Sequence, residues 1–262
     1  MDLLARLRRF ASADQSVRRA ELLALLCEMN APFIHYRDKV GKYWPENIVV
    51  SFRREGQPHY VLGAHYDSVP GSTGANDNGA AVCILLEMIE AFLSVPPAIS
   101  LDIVFFDLEE IGVAGGNLAY IEHVGIPNIF GMINLDICGV GDTILAALGI
   151  DAQSGVLQDA LAATVQSGKY AIQLADRMPQ GDDRIFEGRG IPTITACIIP
   201  AEDIEPLAIL VHAMEDIGKP PDPMPSILQT FHGGSRDSID FIEEQAMTKM
   251  LAWTRDLVMQ LQ

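Results

Sequence analysis

The sequence predicts an α/β fold, with a mostly parallel central sheet flanked by helices on both faces. Three observations lead there. Short apolar runs alternate with longer segments of helical spacing from residue 47 to the C-terminus, the order expected of repeated strand–helix units. Several runs, such as IPTITACIIP (191–200), are apolar at successive positions rather than at every second one, as strands covered on both faces require. Three runs end in histidine or carboxylate: GAHYD (63–67), FFDLEE (105–110) and INLDICG (133–139).

Taken in order, residues 2–10 and 14–29 carry apolar residues at helical spacing and predict two helices. NIVVSF (47–52) and YVLGAHYD (60–67) read as strands. Residues 78–95 are apolar enough to predict a mostly buried helix. ISLDIVFFDLEE (99–110) and NIFGMINLDICGV (128–140) are strands that finish in acids, and TILAALG (143–149) is a short strand. Then come a helix over 151–167, the buried strand at 191–200 and a helix over 202–217. GKPPDPMPS (218–226) is a loop by its prolines, and 241–261 closes the chain as an amphipathic helix. No internal repeat or low-complexity linker interrupts this order. The expectation is one unit over residues 1–262, with residues 1–30 as helices packed on it.

The 262 residues carry 18 Lys and Arg against 35 Asp and Glu, a net charge of −17. Such a surface repels nucleic acid and anionic membrane, so neither is expected as a partner. The N-terminus lacks the uninterrupted apolar stretch of a secretory signal, and no run approaches the ~18 apolar residues of a membrane span. The four cysteines, Cys27, Cys83, Cys138 and Cys197, stand apart with no CxxC pair. A cytoplasmic setting follows as the expectation.

The acids at the strand ends need an explanation. In an open α/β sheet, ligands bind beyond the carboxyl ends of the strands. If the three strands are parallel neighbours, His65, Asp67, Glu109, Glu110 and Asp136 converge there. Asp77 follows at a helix start, and His232 in FHGGSRDSID (231–240) can approach from a loop. Each has an ordinary explanation alone: a solvated strand end, a helix N-cap, an exposed acidic pair, a turn. Together they form a crowd of carboxylates that repel unless cations sit among them. Imidazole with carboxylate suits zinc, with cobalt or manganese as substitutes.

At this point the sequence resembles the M28 family of zinc exopeptidases, which includes aminopeptidases and relatives of the glutaminyl cyclases. GAHYDS, GANDNGAA, DLEEIGVAGG, NLDICG and FHGGSRDSID look like its five ligand-bearing motifs, in the family's order, from about residue 47 onward. The resemblance implies the zinc-exopeptidase architecture and hydrolysis of a peptide or amide bond beside a free amino terminus, on a peptide or aminoacyl small molecule. It implies two divalent metal ions, zinc first among the candidates. Asp77 would lie between them, His65 and Asp136 would complete one site, and Glu110 and His232 the other. Glu109 would be the general base, Asp67 would orient the His65 imidazole, and the Asp77–Asn78 peptide would be cis. QGDDRIFEGRGIP (180–192) stands where the family carries a segment like SDHxxF before GIP. Asp182 and Phe186 match that pattern, Asp183 replaces a common histidine, and Asp182, Asp183, Arg184 and Phe186 become candidate substrate contacts. One departure is that Asp237 follows His232 by five residues, where the family often has an aspartate at four.

Two other functions fit the same motifs. A glutaminyl-cyclase-like acyltransferase would bind one zinc, but those cyclases tend to carry a tryptophan in an insertion after the glutamate pair. Here that region is compact, and the tryptophans are Trp44 and Trp253. A non-catalytic binding module would be expected to have lost ligands, and all five are present.

Overall fold

The computed structural model describes residues 2–111, 114–149, 152, 155–216 and 219–261. Two helices lead, α1 (Leu3–Phe10) and α2 (Gln15–Glu28). Asp2 and Asp14 cap them, accepting from the amides of Ala5 at 2.6 Å and Ser16 at 2.8 Å. After them come β1 (Ile34–Arg37), β2 (Glu46–Phe52), β3 (His59–His65), α3 (Ala80–Ser94), β4 (Leu101–Phe106), α4 (Gly116–Val124) and β5 (Ile129–Leu135). The second half runs β6 (Thr143–Leu148), α5 (Val156–Gln166), β7 (Ile172–Leu174), α6 (Asp183–Glu187), β8 (Thr193–Ile199), α7 (Ile204–Asp216) and α8 (Glu244–Met259).

The strands form one eight-stranded sheet in the order β1-β2-β4-β3-β5-β8-β6-β7. Its centre, β4-β3-β5-β8, is parallel throughout, while β2 and β6 flank it antiparallel. The sheet is therefore mixed: four central strands run parallel and are covered on both faces, β1 pairs antiparallel with β2 at one edge, and β7 pairs parallel with β6 at the other. Side-chain alternation sorts the two faces. Tyr60, Leu62 and Ala64 of β3 join α1, α3 and α8 in one apolar cluster. Val61 turns the other way, into a cluster with Tyr120 of α4 and Phe186 of α6. Cys197 and Ile199 of β8 pack on Leu207 and Val211 of α7 on that second side. Leu7 and Phe10 of α1 and Leu22 and Leu26 of α2 are fully buried in the first cluster. Among the described residues, no helix is long and apolar enough to cross a membrane.

The strands stop short of the acids. β3 ends at His65, β4 at Phe106 and β5 at Leu135, so Asp67, Glu109, Glu110 and Asp136 stand in loops beyond the sheet rather than inside strands. Once a strand outruns its neighbours it has no ladder partners left. β1, β7, α4 and α6 were not legible in the sequence, being short or irregular in pattern. The predicted helices over 151–167 and 202–217 are α5 and α7, and residues 151, 153, 154, 217 and 218 lie outside the described residues, as do Gly112 and Val113 of the DLEEIGVAGG motif.

Candidate active site

The parallel register brings the three acid-ended strands side by side. β3 lies between β4 and β5, so His65, the Glu109–Glu110 pair and Asp136 emerge at one end of the sheet. Asp77 enters from the buried turn Ala75–Gly79 that starts α3, and its peptide bond to Asn78 is cis. His232 comes from the loop before α8.

These residues form two ligand sets that share Asp77. One atom each of His65, Asp77 and Asp136 lie within 4.8 Å of one another, and so do those of Asp77, Glu110 and His232. His65 Nε2 is 3.1 Å from Asp77 Oδ1 and 3.7 Å from Asp136 Oδ1. His232 Nδ1 is 3.0 Å from Glu110 Oε2, and its backbone amide donates to Asp77 Oδ2 at 2.6 Å. Each oxygen of Asp77 therefore faces one set. The donor set fits divalent cations. His65 Nε2 is buried and lacks a well-aligned hydrogen bond. Burial, reinforced by neighbouring carboxylates, pushes Glu109 up to about 7 and Glu110 up to about 9, although His65 pulls both down. Burial also raises Asp136. For Asp77, burial opposes ionisation, but the His65 hydrogen bond and charge outweigh it and hold its carboxyl low. Burial disfavours a charged His65, yet the close carboxylates of Asp136, Asp67 and Asp77 raise it well above the usual imidazole range.

Asp67 does two things. Its Oδ1 is 3.4 Å from His65 Nδ1, and its two oxygens accept the backbone amides of Glu109 and Glu110, each at 3.1 Å. It thus ties the β3 loop to the β4 loop. Asp237, five residues past His232, accepts from the amide of Asn76 at 2.8 Å and from Ser72 Oγ at 2.5 Å. The longer final loop consequently still docks on the turn that carries Asp77. Asn76 links two more loops, accepting from Gly139 N at 2.7 Å and donating to Thr230 Oγ1 at 2.9 Å. Leu108, Ile137 and His232 have φ of 63°, 43° and 51°, a region unfavourable for side chains and most of all for β-branched Ile137. Such residues cluster at functional sites.

From behind, Arg18 of α2 reaches the same loop. It is fully buried. Its Nε donates to Tyr66 O at 2.7 Å and its Nη1 to Thr73 O at 2.6 Å and Gly74 O at 3.1 Å, while the guanidinium stacks 4.3 Å from the centre of the Phe10 ring. Gly74 has φ 56°, and a Cβ there would lie 2.7 Å from Arg18 Nη1, so the turn needs glycine. Burial lowers Arg18 to about 10, with Asp67, Asp237 and Asp77 opposing the drop. Sequence reasoning missed Arg18, although a signal was present: it shares a helical stripe with Leu22 and Leu25, where a charge needs partners.

A cavity of about 590 Å³ opens on the site, lined by Asp77, Glu109, Glu110, Asp136 and His232 and by Ile137, Met178, Leu207 and Phe231. Of the four candidate substrate contacts, Arg184 lines it. Phe186 does not: it is fully buried and packs on Phe106 and Tyr120 at ring separations of 6.0 and 6.3 Å. Asp182 and Asp183 are buried and do not line the cavity. Burial, then the nearby Glu109, lifts Asp182 well above the usual carboxylate range, and burial lifts Asp183 to about 6.

The chain resembles known proteins in three ways. Over 61 residues it is 44% identical to aminopeptidase YwaD of Bacillus subtilis, a match covering 23% of this chain and 13% of that protein. The structure superposes on a leucine aminopeptidase precursor from Bacteroides thetaiotaomicron with TM-score 0.71 and 18% identity, covering 98% of this chain and 96% of that one. It also superposes on glutaminyl cyclase from an Acidobacteriales bacterium with TM-score 0.70 and 17% identity, covering 99% and 93%. At such identities the structural likeness speaks for the fold, and this chain spans only a small part of its curated relative. The model of Peptidase family M28 matches residues 47–257, most of the chain and every site residue above from His65 to His232, and the chain belongs to peptidase family M28.

Proposed function

We propose that the chain is a metal-dependent aminopeptidase that hydrolyses peptide or amide bonds beside a free amino terminus, with residues 1–262 acting as one catalytic unit. The observation that carries this reading is the pair of ligand sets sharing Asp77. In it, His65, Asp77 and Asp136 would hold one divalent ion and Asp77, Glu110 and His232 a second, with zinc the leading candidate because histidine and carboxylate donors suit it. The aminopeptidase names of the Bacillus and Bacteroides relatives support the same activity. Such a pair of ions lowers the pKa of water and polarises a carbonyl.

The rest is assigned to the chain's own residues. Glu109 belongs to neither ligand set, so its carboxylate is free to take a proton from water and give it to the departing amine. Asp67 holds the amides of Glu109 and Glu110 and flanks His65 Nδ1, which fixes the imidazole's orientation. The carboxylates attract the substrate's ammonium group, and the apolar wall of Ile137, Leu207 and Phe231 receives its side chain. The free cysteines support a reducing, cytoplasmic setting.

The test is elemental analysis of the purified protein alongside a panel of aminoacyl arylamides and a glutaminyl peptide. Two ions per chain with arylamide hydrolysis is the expected result. One ion under saturating zinc, with cyclisation of the glutaminyl peptide, would replace this reading with the cyclase.

A further inference from the structure

The cavity is lined by charge of both signs: Asp77, Glu109, Glu110 and Asp136 on one hand, and Arg184 of α6 on the other. No lysine or arginine occurs between Arg54 and Lys169, so the β3, β4 and β5 loops bring negative groups and no guanidinium or ammonium. Arg184 is exposed. Its hydrogen bond is to the neutral side chain of Gln180, four residues back in the loop before α6, and among the described residues it forms no ion pair. In a chain this acidic, a guanidinium inside a cavity, tethered by an amide and paired to no carboxylate, is set up to take a carboxylate from outside.

We propose that Arg184 is the subsite for a substrate's terminal carboxylate, so that the cavity selects short zwitterionic peptides, dipeptides first. This rests on the aminopeptidase reading and goes past it. With divalent ions held by Asp77, Glu110 and Asp136 their charge is offset, and Arg184 is the one Lys or Arg among the described residues that line the cavity, so a peptide's carboxylate finds its cation there. A guanidinium binds a carboxylate through two parallel hydrogen bonds, which an ammonium does not. Size limits the benefit to short chains. An extended dipeptide spans about 7 Å, within a cavity of about 590 Å³, whereas each added residue carries the carboxylate further from Arg184.

The experiment compares Leu-Ala with Leu-Ala-amide on the metal-loaded protein, and then Leu-Ala-Ala-Ala with its amide. The free dipeptide is expected to be favoured by about tenfold in kcat/KM, mostly through KM, with little preference at four residues. In Arg184→Gln the dipeptide ratio is expected to fall to about one, and Arg184→Lys to restore part of it. Calorimetric binding of both dipeptides to the Glu109→Gln protein gives a second readout without turnover. A wild-type ratio near one in both assays, or a ratio unchanged in Arg184→Gln, would overturn the subsite. Metal-dependent arylamide hydrolysis by the wild-type protein would leave the aminopeptidase reading standing, whereas its absence there would remove both.

Discussion

Glu109 and Glu110 are adjacent in sequence but differ in what they touch. Glu110 faces His232 at 3.0 Å and belongs to a ligand set, and Glu109 does not. Their amides are held alike by Asp67, so the difference lies in the side chains. Glu109→Gln is expected to lower kcat by about 10²–10⁴ with metal content intact, while Glu110→Gln loses bound metal as well. Substantial activity in Glu109→Gln, measured beside its metal content, would remove the base assignment. At the far end of the sheet, His59 is buried with its Nε2 2.7 Å from Tyr120 Oη and 3.6 Å from Asp102 Oδ2, and Arg53 pairs with that same aspartate. Burial pushes His59 down to about 4, Asp102 opposing and Arg53 adding to the shift. Below pH ~6.5 the unfolded chain therefore takes up a proton that the folded one refuses until about 4. Stability tied to His59 is full above pH ~6.5 and declines as the pH falls towards 4, by about 3 kcal/mol at most. Denaturant titrations of His59→Gln should show a shallower loss over that window than the parent, and identical slopes would refute it.

Helix α2 matters to the site through Arg18, which holds the carbonyls of the turn leading to Asp77. Arg18→Met strands those carbonyls, and a loss of roughly 3 kcal/mol or more is expected, together with faster metal release to a chelator. Gly74→Ala should weaken metal retention in the same direction, because it crowds the guanidinium and the left-handed turn. Normal metal retention in both variants would mean that the turn holds itself. This brace also shows what a sequence reveals at the level of elements. The central strands were legible because both their faces are covered, which writes a continuous apolar run. The clustering of His65, Asp77, Glu110, Asp136 and His232 was legible because they sit at fixed offsets from those runs and in motifs resembling a family. The supports were not: Asp67's grip on two amides, Asn76's link to Gly139 and Asp237's reach to Asn76 all depend on which loops meet in space. Phe186 shows the reverse error, since a motif match placed it at the substrate while its apolar ring went to the core. β1 and β7 were missed because edge strands of four and three residues carry no alternation to read.

Across the whole molecule, charge is unevenly laid out. The stretch without Lys or Arg supplies His65, Asp67, Asp77, Glu109, Glu110 and Asp136, so one end of the sheet presents a concentrated negative field to arriving metal ions, and a chain of net charge −17 keeps an acidic surface once they are bound. Association of a cationic aminoacyl arylamide should be steered by that field. Raising ionic strength from about 0.01 to about 0.15 M shortens the screening length from about 30 to about 8 Å, and kcat/KM should fall severalfold while kcat holds. A flat salt response would show that the field does not reach incoming substrate. The lead helices, finally, bear on how such a unit is inherited. The family match begins at residue 47, yet Arg18, which props the turn before Asp77, lies well ahead of it. Recombination that moved only the matched stretch into a longer protein would leave its metal loop without that prop. Lineages that splice this unit into larger architectures should carry α1 and α2 along, or supply another cation from the host to the carbonyls of Tyr66 and Thr73.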